Sequence, residues 1–158
     1  MNAVEVDILL VEDNQDDMDL ALHALRRENL ANKIFVVRDG EEALEFLFCR
    51  GVFAKRSFDQ PPKLVLLDLK LPKVEGIEVL RQVKADSRTR SIPVVILTSS
   101  KEEQDLVRGY NLGANSYIQK PVDFEQFRDT VKHVGLYWLV TNQPPPVNGG
   151  TYMSEQKS

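Results

Sequence analysis

Five short apolar runs, each followed by a stretch with helical periodicity, limit what this chain can fold into. The runs are Val6-Asp7-Ile8-Leu9-Leu10-Val11, Ile34-Phe35-Val36-Val37, Leu64-Val65-Leu66-Leu67, Pro93-Val94-Val95-Ile96-Leu97 and Ser116-Tyr117-Ile118. Unbroken Val, Ile and Leu, rather than alternation with polar residues, suits strands covered on both faces, as in parallel sheets. Between the runs, apolar residues recur at helical spacing. Met18, Leu22 and Leu25 mark a first helix, Ile77 and Leu80 a third with Lys84 continuing the row, and Phe124, Phe127 and Val131 a last one starting near Asp123. Lys101 to Leu112 reads as the fourth helix, ended by Gly113, a residue suited to a left-handed cap. Strands alternating with helices imply right-handed crossovers. The expected fold is therefore α/β, a doubly wound five-stranded parallel sheet.

The chain has 158 residues, room for one such domain. Residues 1–140 are expected to form it. The segment 141–158 (TNQPPPVNGGTYMSEQKS) is rich in Pro, Gly and polar residues and reads as a flexible tail. The connection from Arg50 to Lys63 is longer than usual, and Pro61-Pro62 stop regular structure before the third strand. Cys49, in the helical stretch EEALEFLFCR, reads as a small core or surface residue. A lone cysteine makes no internal disulfide, which fits a cytoplasmic location. The net charge of -4 offers no general basic surface to nucleic acid, so no DNA-binding domain is expected. No apolar run approaches the roughly 20 residues that cross a bilayer.

Open parallel sheets bind ligands beyond the carboxyl ends of their strands. At those ends stand Glu12-Asp13, Asp68, Thr98-Ser99 and Lys120-Pro121. Carboxylates converging in one crevice repel each other unless a cation neutralises them, and hard oxygen ligands in a small site suit Mg²⁺. An aspartate carboxylate can act as a nucleophile toward phosphorus. Lys120 would supply a point charge, and Thr98 a hydroxyl, for the oxygens of a transferring phosphoryl group.

The segments LLVEDN, LLDLKLPKVEG, VVILTSS and GANSYIQKP resemble, in order and separation, the signature segments of response-regulator receiver domains. The resemblance covers roughly Asp7 to Val140 and implies a flavodoxin-like receiver fold. It implies that Asp68 is the phosphoacceptor and that Asp13 binds Mg²⁺ directly. Glu12 would reach the metal through water, and the backbone carbonyl of Lys70 would be a further ligand. Lys120 would touch the phosphoryl oxygens across a cis Lys120-Pro121 bond, while Thr98 and Tyr117 would form the switch pair. The stretch from Phe48 to Pro62 and the ending HVGLYWLVTNQPPP are similar to stand-alone phytochrome-associated cyanobacterial regulators. That similarity implies a sensor histidine kinase as partner, a bacterial phytochrome being the expected kind. Such a protein catalyses only its own phosphorylation and dephosphorylation.

The segment Val134 to Val140 is apolar nearly all round, which a solvated helix does not tolerate. A homodimer burying Tyr137 and Trp138 is expected. His23 and His133 read as solvated helix residues. A phosphatase of the haloacid-dehalogenase kind would need an aspartate where Lys70 stands. A nucleotide-binding module would need a Gly- or hydroxyl-rich loop where Glu12-Asp13-Asn14 stands.

Overall fold

The structure, a computed structural model, describes residues 6–26 and 33–136. Strands β1 (Ile8–Val11), β2 (Ile34–Val37), β3 (Leu64–Asp68), β4 (Val94–Thr98) and β5 (Ser116–Gln119) alternate with helices α1 (Gln15–Leu25), α2 (Gly40–Leu47), α3 (Gly76–Ala85), α4 (Lys101–Tyr110) and α5 (Phe124–His133). The sheet is parallel throughout, in the order β2-β1-β3-β4-β5. The central strands β1, β3 and β4 are buried at every position, whereas the edge strands β2 and β5 are partly exposed. Apolar runs therefore form the strands covered on both faces, but the equally apolar run Ile34–Val37 forms a partly exposed edge strand.

The two faces carry separate cores. Leu9, Val11, Val65, Leu67 and Ile96 pack against α2 and α3, with Val107 of α4 in the same cluster. Ile8, Leu10, Leu66, Val95 and Leu97 pack against α1 and α5, chiefly on Met18, Ala21, Phe124, Phe127 and Val131. Strand periodicity of two sends neighbouring residues to opposite cores, and this arrangement makes the domain doubly wound.

Caps fix where the helices begin. The side chains of Asn14, Asp39, Ser100 and Asp123 each accept a hydrogen bond from a first-turn N–H of α1, α2, α4 and α5. Two boundaries differ from the sequence expectation. Helix α4 ends at Tyr110, because Asn111 takes the left-handed cap conformation (φ 54°) ahead of Gly113 (φ 95°). Helix α2 ends at Leu47, so Cys49 lies beyond it with φ 55° rather than inside a helix. The long connection after α2 holds a 3₁₀ turn at Gly51–Phe53. Arg56 anchors it by donating to the carbonyls of Phe46 and Gln60, with its guanidinium 3.8 Å from the Phe46 ring centroid.

Helix α5 ends at His133, and Gly135 (φ 85°) and Leu136 close it through bonds to Lys132 and Val131. Residues 134–136 therefore do not extend the helix. Tyr137 and Trp138, and the tail 141–158, lie outside the described residues. His23 and His133 are exposed on α1 and α5. Among the described residues no helix is long and apolar enough to cross a membrane.

One glycine sets the position of the β3 end. A Cβ on Gly76 would lie 2.2 Å from the backbone oxygen of Asp68, and the Gly76 N–H donates to Leu69 O at 3.0 Å. Gly76→Ala must push α3 off the end of β3. The expected loss is about 1–3 kcal/mol of unfolding free energy, read as a lower urea midpoint. An unchanged midpoint would contradict the close approach.

Candidate functional site

The carboxyl edge of the sheet gathers three carboxylate side chains around one ammonium group. Lys120, at the end of β5, donates from Nζ to Asp68 Oδ1 and Asp17 Oδ2, both at 3.1 Å, and lies 3.6 Å from Glu12 Oε1. Its backbone N–H donates to Thr98 O at 2.7 Å, which ties the end of β5 to the end of β4. The Lys120-Pro121 bond is cis, as expected. Parallel pairing of β1, β3 and β4 brings Glu12, Asp68 and Thr98 to the same edge.

Glu12 and Asp68 are almost fully buried. Glu12 Oε2 accepts from the Asn14 N–H at 3.2 Å, while Oε1 is buried without a hydrogen bond. Burial, and after it the negative charge of Asp68, raises the Glu12 carboxyl from 4.5 to about 7. Lys120 responds in the other sense. Burial pulls its ammonium down, but Asp68 and Glu12 outweigh that and hold it above its ordinary value. The Glu12–Asp68 pair is thus short of positive charge.

Asp13 is exposed and lines a cleft of about 470 Å³ together with Leu69, Lys70, Pro72, Glu75 and Glu103. The Lys70 side chain is exposed and pairs with Glu103 at 3.3 Å. The other Glu103 oxygen accepts from the Ser99 N–H at 2.7 Å, joining the loops that follow β3 and β4. Among the described residues, no three His, Cys, Asp or Glu side chains form a ready metal cage. Mg²⁺ does not require one, since it keeps several waters and takes one or two carboxylates. The orphaned Glu12 oxygen beside the Asp68 carboxylate offers hard oxygen donors of the kind that accept such an ion.

Thr98 is fully buried, and its hydroxyl has no hydrogen-bond partner. That is an unusual state for a buried hydroxyl. Tyr117 is half-buried on β5, packed against the α2–α3 core, with the Arg108 guanidinium of α4 4.5 Å from its ring centroid. Burial raises its phenol, and Arg108 opposes that shift.

Of the strand-end residues picked from sequence, Glu12, Asp68, Thr98 and Lys120 therefore lie together, while Asp13 lines the cleft that holds Lys70. Asp17 and Glu103 were not foreseen. Asp17 stands one turn before the buried Ala21, on the inner flank of α1, and that spacing was its one available signal.

Residues 8–132 match the response regulator receiver domain family. The chain is 45% identical over 138 residues to the probable methanogenesis regulatory protein FilR2 of Methanothrix harundinacea, covering 87% of this chain and 86% of that protein. Response regulator Rcp1 of Synechocystis is 36% identical over 134 residues, 85% of this chain and 89% of Rcp1. A solved structure of Rcp1 in its Mn²⁺-bound form has a TM-score of 0.69 at 34% identity, over 90% of this chain and 99% of that one. The bacteriophytochrome response regulator RtBRR has a TM-score of 0.81 at 51% identity, over 90% of this chain and 86% of that one. The phosphorylated cyanobacterial phytochrome response regulator RcpA has a TM-score of 0.70 at 37% identity, over 91% and 100% of the two chains. On fold, edge residues and these relatives together, the chain belongs to the response regulator receiver family of two-component signalling, with phytochrome response regulators among its homologues.

Proposed function

We propose that this receiver accepts a phosphoryl group on Asp68 from a sensor histidine kinase, a phytochrome kinase in particular, and changes conformation as a result. The observation that carries the reading is the buried Asp68 carboxylate with the Lys120 ammonium 3.1 Å from its Oδ1 and Glu12 at the same ammonium. In the transfer, an Asp68 oxygen forms the new bond to phosphorus as the P–N bond of a phosphohistidine breaks. The imidazole nitrogen leaves with that electron pair and takes up a proton. In hydrolysis, a water oxygen bonds to phosphorus and Asp68 leaves as carboxylate with inorganic phosphate as the product. The protein then serves only its own loading and unloading.

Glu12, Asp13, Asp68 and the Lys70 backbone carbonyl would hold Mg²⁺, which when bound supplies the positive charge these acids lack and a position for a phosphoryl oxygen. Lys120 holds the oxygens of the transferring group by charge. The free Thr98 hydroxyl turns to the phosphoryl group, which brings about -1.5 to -2 charges. The space it leaves admits the Tyr117 ring, so phosphorylation is read at the surface around α4 and β5. Homodimerisation through Tyr137 and Trp138, a domain spanning 1–140 with 141–158 as its tail, and action in the cytoplasm complete the proposal.

The test is incubation with Mg²⁺ and a small acyl phosphate, followed by intact mass and peptide mapping. Wild type is expected to gain one phosphoryl group at Asp68, and Asp68→Asn to gain none. A label that persists on Asp68→Asn moves the acceptor elsewhere.

A further inference from the structure

Lys120 serves a third carboxylate that the loading chemistry does not use. An ammonium has three N–H donors. Here Asp17 and Asp68 each accept at 3.1 Å, with Glu12 at 3.6 Å. Asp17 comes from a different element, the first turn of α1, and its side chain is 32% exposed against 6% for Asp68 and 1% for Glu12. It therefore pulls on the ammonium from the solvent side of the cleft. The Asp17 backbone is fixed in the first turn, since its N–H donates to the Asn14 side-chain cap at 2.8 Å.

We propose that Asp17 is a built-in competitor for Lys120, an anion that a phosphoryl group on Asp68 must displace, so that it slows loading of the site and shortens the loaded state. The inference rests on Asp68 being the phosphoacceptor. Phosphorylation turns one Asp68 oxygen into the bridge to phosphorus and moves negative charge outward onto the phosphoryl oxygens. The ammonium has to follow that charge. Glu12 is among the proposed metal ligands, so a bound cation offsets its pull on Lys120. Asp17 is not, and its carboxylate keeps its hold. Removing it leaves Lys120 placed by Asp68, Glu12 and its own backbone bond to Thr98, so the residue is a tuning charge rather than a support.

Asp17→Asn keeps the shape and removes the charge. One charge removed beside an ammonium whose side chain is 13% exposed corresponds to a rate change of about three- to tenfold. With Mg²⁺ and a small acyl phosphate, the variant is expected to load that much faster at low salt and to lose its phosphoryl group that much more slowly. The difference should shrink in molar salt, where exposed charges are screened. Asp17→Ser should act like Asp17→Asn, and Asp17→Glu should return toward wild type. A purely structural role predicts neither faster loading nor rescue by charge. If both neutral variants load no faster than wild type, Asp17 is an anchor or a bystander and the competitor role is overturned. If wild type itself gains no phosphoryl group at Asp68, the reading of the site fails first and takes this inference with it.

Discussion

Lys120→Met is expected to lower the unfolding free energy of the metal-free protein by about 3–5 kcal/mol at pH 8, the range for removing one partner of a buried charge cluster. The cost has an identifiable source. Lys120 is the ammonium set between the buried carboxylates of Glu12 and Asp68, and methionine keeps the stem of the side chain while deleting the charge. Both acids then remain out of water with one buried oxygen of Glu12 already without a hydrogen bond. The loss should be smaller at pH 5, where protonation relieves the pair, and smaller with Mg²⁺, which adds about 4 kcal/mol at a thousandfold excess over its Kd. Phosphoryl incorporation should fall as well. Urea unfolding of the two proteins at both pH values decides the matter, and superimposable curves at pH 8 would refute charge compensation by Lys120.

The second large effect is a loss of metal-free wild-type stability as pH rises from about 4.5 to about 7. The Glu12 carboxyl is raised from 4.5 to about 7 by burial and by Asp68. A carboxyl raised in the native state binds its proton more tightly there than in the unfolded chain. Its contribution is therefore fully present below 4.5 and is lost as pH climbs to the folded value. The span corresponds to roughly 3 kcal/mol. Lys120 is raised above its ordinary value and Asp86 lowered to about 2 by its bonds to Arg88, so neither titrates inside this window. Mg²⁺ competes with the Glu12 proton, so it should stabilise more at pH 8 than at pH 5. A metal-free stability that is flat, or that rises, between pH 4.5 and 7 would contradict the charge-starved pair.

Much of this architecture was legible in residues 6–136 because strand and helix signals are local. The runs at Leu64–Leu67 and Pro93–Leu97 needed only their apolar continuity to be read as strands covered on both faces, and they form β3 and β4 with every position buried. Boundaries were less legible where backbone conformation outweighed pattern. Asn111 rather than Gly113 takes the first left-handed turn after α4, and Cys49 falls outside α2 although the apolar pattern runs through it. Asn tolerates the left-handed region, so its presence ahead of a glycine leaves two admissible endings.

For the site, the strand-end rule singled out Glu12, Asp13, Asp68, Thr98 and Lys120, because parallel strands bring their carboxyl ends to one edge whatever the side chains are. It could not rank them. Which acids share the ammonium depends on side chains meeting across 103 positions between Asp17 and Lys120 and 52 between Asp68 and Lys120.

Sequence alone therefore determined the layer order, the edge at which chemistry sits and the residue types available for it, since each follows from local periodicity and chain direction. Tertiary structure alone decided the charge balance: Glu12 buried and short of a partner, Thr98 with a free hydroxyl, Lys70 turned to Glu103, and Asp17 drawn onto Lys120. The physical reason is that Coulomb energy and desolvation depend on distance and burial in three dimensions, and neither is written in the spacing of residues along a chain.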